Sequence, residues 1–531
     1  MHMPETVGLM FESCMAGDTE AVMVLLNKDA TLAAASWGYF TPLHFAVREG
    51  HDELVQLLLR SGADASEQPC LGWQDSLLQK AQDRGHDAVV KLLREHLQRT
   101  LKAEPIGEKL TALIRDRKVK ELLQLLAQLP EALHASDERG NTPLHWAVMT
   151  RQLELLDQLL AMGADPLAKR GDGSQPAQLA LEGDYFYRAN RNLPPDASRD
   201  AGFLLGYLVG RGGVPYDIFL AAAAGDALRV DELLGQNASL ARSRDASGRS
   251  ALYYAAKRGY TEAVKRLLAA GADPNAEERG AARGAALYAA VRGKHIACAK
   301  LLLEHGADPN AEVEASGNAV FAALQEGDQE LIELVYAYGG KVTLTGACAL
   351  GRIDLVGELL AANPSAIEGG DYGPLAQAAS CGYTAIVKLL LRHHAPLDEP
   401  WYASNYMHYA CSYADADMVK LLLEGGADPN HANWLGVSYL HLIAMQGKLE
   451  LAELMIAHGG DLEAVDQEHR TTPLGWAAKY GKTDMAAYLL QQGAEAEPAG
   501  VPQWATPQAW AGRRGYQAIV ELLHAHRSSA V

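Results

Sequence analysis

The chain holds 18 histidines, six cysteines and 66 carboxylates, enough to build a catalytic or metal site, so their spacing decides. No H-E-x-x-H, G-x-S-x-G or Gly-rich nucleotide loop is present. Gly475 to Thr483 superficially resembles a phosphate loop, but five residues rather than four separate its glycines. Asp415 and Asp417 form a short carboxylate pair without a placed base, and His393-His394 falls where a helix end tolerates cationic character. No cysteine pair has C-x-x-C spacing. The sequence therefore assigns no catalytic, metal or cofactor-binding residue. What remains is recognition chemistry, since Trp, Tyr and Arg are the commonest anchors of binding surfaces. Trp37, Tyr39, Tyr372, Trp401, Tyr402, Tyr406 and Trp434 lie in or beside turn sequence that is polar elsewhere, as in Asp137-Glu138-Arg139-Gly140. Tyr413, Gln446, Tyr480 and Arg513 recur at the end of one helical pattern. These residues are densest between positions 371 and 446.

The elements that would position them repeat. A turn can be followed at a spacing of about 33 residues through Gly17, Gly50, Gly85, Lys118 and Arg151 to Gly447, Gly481 and Gly515. Each unit has a short helical pattern, a turn, and an apolar run at helix spacing such as Leu54, Val55, Leu57, Leu58 and Leu59. Such a pair cannot bury its apolar face alone, so neighbours must stack into a solenoid. Thr41-Pro42-Leu43-His44 and Thr142-Pro143-Leu144-His145 open units, and Gly271 to Asn275, Gly306 to Asn310 and Gly426 to Asn430 close them as G-A-D-P-N. At these residues nearly the whole chain resembles the ankyrin-repeat family.

The resemblance implies an all-α solenoid of stacked helix-turn-helix units with hairpin fingers, and non-catalytic binding of another protein. The finger tips and the exposed face of each first helix would form its concave binding surface, placing the aromatic and Arg residues above on that surface. It also implies that His44, His145, His408 and His441 tie turns to neighbouring backbone. Phe45, Trp146, Tyr254, Tyr409, Trp476 and Trp510, one position along, are expected in the core. A groove-type enzyme, or a binder of a small polar, carbohydrate-like ligand, is the alternative for the same last repeats.

The register breaks in places. Four units end in sequences such as Asn27 to Ala33 instead of G-A-D-P-N, which divides the chain into blocks 1–103, 104–213, 214–342 and 343–531. A 17-residue insert, 184–200, falls inside the second block. It makes Tyr185, Tyr187, Arg188 and Arg191 secondary candidates, beside Lys257 and Arg258 in a basic cluster of the third block.

The net charge of -19 argues against a general affinity for nucleic acid or anionic membranes. No apolar run reaches membrane-span length and no signal-peptide pattern opens the chain, so a cytoplasmic protein is expected. Cys14, Cys298, Cys348 and Cys411 occupy apolar positions of the repeat and read as small core residues.

Overall fold

The first helix of each repeat starts where its sequence supplies a cap. In Thr41-Pro42, the Thr41 hydroxyl accepts the His44 N–H at 3.3 Å while Pro42 occupies the first turn, where its missing N–H costs nothing. Helix Pro42–Glu49 ends at Gly50, whose φ of 82° is left-handed, a conformation that glycine adopts without strain. The second helix, Asp52–Arg60, buries Leu54, Val55 and Leu58. Truncating one such leucine to alanine typically costs about 2–5 kcal/mol.

The computed structural model describes residues 3–66, 75–182, 201–211, 214–245, 248–278, 284–313, 317–368, 373–398, 401, 405–413 and 415–529. Among these the chain forms 32 α-helices and, instead of strands, only isolated β-bridges. It is an all-α stack of helical pairs, as expected. The insert 184–200 lies outside the described residues.

Neighbouring repeats are stitched at two places. At the turns, a ring of the next repeat lies against the preceding glycine: a Cβ on Gly50 would come within 2.6 Å of His86. That imidazole bonds the Arg48 carbonyl at 3.2 Å. His51 and His295 make the same bond to Met15 and Lys257, at 3.0 and 3.1 Å. At the repeat ends, the Asn275 amide donates to the Gly306 carbonyl (2.6 Å) and accepts from the Asp308 N–H (2.8 Å). Asn310 clasps Gly339 and Lys341 likewise, and Asn430 clasps Gly459 and Asp461. The four divergent repeat ends instead form 3-10 turns, at Ala30–Ala34, Pro130–His134, Ala238–Arg242 and Pro364–Ile367.

The buried apolar residues gather into three clusters. One runs from Leu110 to Leu208 and takes in Leu220, Tyr253 and Tyr254. Another runs from Ile218 to Val335. The third joins Met10–Leu97 to Leu344–Leu523, so the N-terminal repeats share a core with the C-terminal ones. The solenoid closes on itself.

Candidate partner-binding surface

The closure brings the first-helix ends of N-terminal and C-terminal repeats together, through residues just before the turns. In the N-terminal repeats these include Arg48 with Glu49 and Asp83 with Arg84; in the C-terminal repeats, Lys479 with Tyr480 and Arg513 with Arg514. Across the contact the Arg514 guanidinium donates to both Asp83 oxygens, at 3.2 and 2.6 Å. Lys479 donates to Asp75 at 2.6 Å. Arg513 Nε lies 3.7 Å from Asp83.

Between these pairs the finger of the C-terminal repeats inserts Glu468, whose side chain is fully buried. One Glu468 oxygen accepts from Lys80. The other lies 3.1 Å from His44 Nε2 and 3.8 Å from Arg48, while Arg84 donates to the Glu468 carbonyl at 2.8 Å. Burial by itself would raise the Glu468 pKa, but His44, Lys80 and Arg48 hold its carboxyl well below the ordinary value. Burial likewise opposes ionisation of Asp75, and Lys479 overcomes it. An apolar contact completes the joint: the Trp434 ring lies 6.2, 5.4 and 5.7 Å from Phe11, Phe40 and Phe45, and Arg84 sits 4.9 Å over Trp504.

The candidate residues separate accordingly. Trp401 and Tyr406 are interior, which corrects their expected place on an open tip. The Trp401 ring, 2% exposed, stacks on Tyr439 at 5.7 Å and His408 at 6.1 Å. Tyr406 is buried with its hydroxyl on the Leu397 carbonyl. Trp434, Tyr480 and Arg513 lie at the joint with the N-terminal repeats: Trp434 packs on Phe11, Phe40 and Phe45, Tyr480 is half-buried under Lys479, and Arg513, exposed overall, stacks 4.3 Å over Trp510. Gln446 is half-buried beside them. Trp37 is half-buried and pairs its backbone with Phe40, while Tyr39 is 46% exposed at the same turn. Tyr413 stands most open, at 66%. Among the secondary candidates, Lys257 and Arg258 are half-buried, Lys257 over the Tyr253 ring. Tyr185, Tyr187, Arg188, Arg191, Tyr372 and Tyr402 lie outside the described residues. The basic cluster is answered locally: Arg292 pairs with Glu326 at 2.6 Å, and Arg249 stacks over Tyr253.

Two of the four scaffold histidines make the expected ties, and the core aromatics are buried apart from the half-buried Tyr409. His145 and His441 accept the Thr142 and Ser438 N–H groups and reach the Ser174 and Thr471 carbonyls. His44 is directed to Glu468 instead, and the His408 ring stacks on Trp401 with its Nδ1 buried without a hydrogen-bond partner. The core aromatics carry a device that the repeat pattern did not reveal: a finger aspartate takes the polar edge of the ring. Asp137 accepts from Trp146 at 2.8 Å, Asp466 from Trp476 at 2.9 Å and Asp245 from Tyr254 at 2.6 Å. Cys14, Cys298, Cys348 and Cys411 are buried.

The family model for ankyrin repeats (3 copies) matches residues 7–69, 70–170, 218–313, 344–433 and 435–530. The chain belongs to the ankyrin-repeat family. Among similar proteins, ankyrin repeat and SOCS box protein 16 of Homo sapiens is 36% identical over 105 residues, 20% of this chain and 23% of that protein. Oxysterol-binding protein-related protein 1 of Rattus norvegicus is 32% identical over 169 residues, 27% of this chain and 18% of that protein. Ankyrin repeat protein nuc-2 of Neurospora crassa is 31% identical over 144 residues, 26% of this chain and 13% of that protein. The chain thus spans less than a quarter of each of these relatives. Among the described residues, no group of three His, Cys, Asp or Glu could hold a metal ion. No helix among them is long and apolar enough to cross a membrane.

Proposed function

We propose that this ankyrin-repeat chain is a non-catalytic scaffold that seats another protein on the concave face of its last repeats, residues 343–531. Ankyrin repeats are protein-interaction modules in general, and aromatic side chains standing free on a rigid helical face suit that use. The observation that carries the reading is Tyr413. It is two-thirds exposed at the register position that Tyr480 and Arg514 occupy further along the face, where Tyr480 is half-buried and Arg514 is bound by Asp83 of the N-terminal repeats. Cys381 continues the same open column one repeat earlier and is exposed too. The partner would therefore enter over Cys381 and Tyr413, with the remaining blocks, 1–103, 104–213 and 214–342, orienting that surface.

Affinity capture with the full chain, wild type beside Tyr413→Ala, tests this. Removing an aromatic anchor typically costs about 2–4 kcal/mol of binding, so captured partners should fall by more than an order of magnitude. Identical partners at equal yield would remove Tyr413 and the open column from the surface.

A further inference from the structure

The contact between the N-terminal and C-terminal repeats is of a different kind from the contacts that build the solenoid. In a repeat stack each unit touches only its neighbours, and here residues 75–84 meet residues 468–514 across several intervening repeats. The joint is complementary in charge. Asp75 and Asp83 face Lys479, Arg513 and Arg514, while Lys80, Arg48 and Arg84 face Glu468 and its carbonyl. Buried pairs of this sort contribute more to fixing one arrangement than to net stability, yet stripping one partner is strongly unfavourable. The joint also covers one half of the last block's concave column, Tyr480 and Arg514, and leaves Cys381 and Tyr413 open.

We propose that the N-terminal repeats are a built-in occupant of the C-terminal concave surface, an autoinhibitory cap that a protein partner displaces to reach Trp434, Tyr480 and Arg514. This rests on the partner-surface reading above and adds its regulation. A displacing segment must replace what the cap supplies: carboxylates over Lys479, Arg513 and Arg514, and a cation for Glu468. It is therefore a protein surface of mixed charge rather than a uniformly acidic or basic one.

The test is hydrogen–deuterium exchange on the full chain, comparing wild type, Asp83→Arg, Arg514→Asp and the double charge swap. Each single variant sets like charges face to face, so exchange in helices Leu77–Arg84, Pro473–Lys479 and Pro507–Arg514 should rise about a hundredfold. Exchange in the repeats between Ile218 and Val335 should stay at the wild-type rate, and the double swap should restore the slow rates. Single variants that exchange like wild type, or a double swap as fast as the singles, would overturn the cap. Should a charge reversal unfold the chain, as faster exchange between Ile218 and Val335 would reveal, the near-isosteric Asp75→Asn must raise exchange in the same three helices alone. No rise there overturns the proposal as well. Tyr413→Ala lies outside the joint, so loss of capture with that variant reads the partner surface independently of the cap.

Discussion

Glu468 is buried among His44, Lys80 and Arg48, which hold its carboxyl well below the ordinary value, and these groups define its role. Replacing it with alanine leaves Lys80 buried without its counter-charge, while Arg48 keeps Glu49 at 2.6 Å. The expected cost is about 3–5 kcal/mol in urea unfolding, with Glu468→Gln intermediate; a loss below 1 kcal/mol would show the cluster to be solvated. Part of this cluster was legible. Lys80 stands in the column that holds Phe45, Trp146, Tyr254, Trp476 and Trp510 in other repeats, and a lysine in an aromatic core column demands a counter-charge. The identity of that counter-charge was not legible, because nothing local in the sequence links positions 80 and 468. Histidines give a second expectation at this scale. Burial, with Arg170 nearby, pushes His145 down from 6.5 to about 4, and burial alone pushes His408 to about 4. The unfolded chain therefore binds protons more readily than the folded one. The stabilisation is complete above 6.5 and is lost as pH falls from there toward 4. Unfolding free energies from urea melts should drop between neutral pH and about pH 5 by on the order of 2 kcal/mol more in wild type than in His145→Gln or His408→Gln; equal pH profiles in wild type and both variants would contradict their burial as neutral rings.

At the scale of the helix pair, turns and repeat ends were readable because their chemistry is local. Thr-Pro caps, turn glycines and the G-A-D-P-N asparagine each act within one or two repeats. The rings laid against the turn glycines were not anticipated, although His51, His86, Tyr260 and His295 all directly follow a turn residue in sequence. Two glycines of unlike surroundings test the stitching. At Gly50 a methyl group would meet the His86 ring at 2.6 Å on a backbone with φ 82°, so Gly50→Ala should destabilise by about 1–3 kcal/mol. At Gly357, inside helix Ile353–Ala362, a Cβ meets nothing within 4 Å, and Gly357→Ala should stabilise by about 0.5–1 kcal/mol. Equal signs in thermal or urea melts would contradict the account. The fingers were harder to read. Trp401 looked like a tip residue by counting from the repeat end, but its ring is buried against His408 and Tyr439, and chain position alone does not distinguish the two.

The whole molecule is a solenoid whose ends meet. Periodicity fixed what each repeat is and how it stacks on the next, since those contacts recur about every 33 residues. It was silent on closure, because a contact between residues 75–84 and 468–514 leaves no periodic trace; it is written in charges that look like ordinary surface residues until the two faces are opposed. The closure also recasts the surface inferred from sequence: of its aromatic and arginine residues, some are interior, some are engaged by the chain's own N-terminal repeats, and Tyr413 stands open. Small-angle X-ray scattering of the full chain tests this most directly. The expected profile is that of the closed structure, with the largest intramolecular distance increasing in Asp83→Arg and returning in Asp83→Arg/Arg514→Asp. A wild-type profile already matching an extended, open superhelix, unchanged by these substitutions, would contradict it.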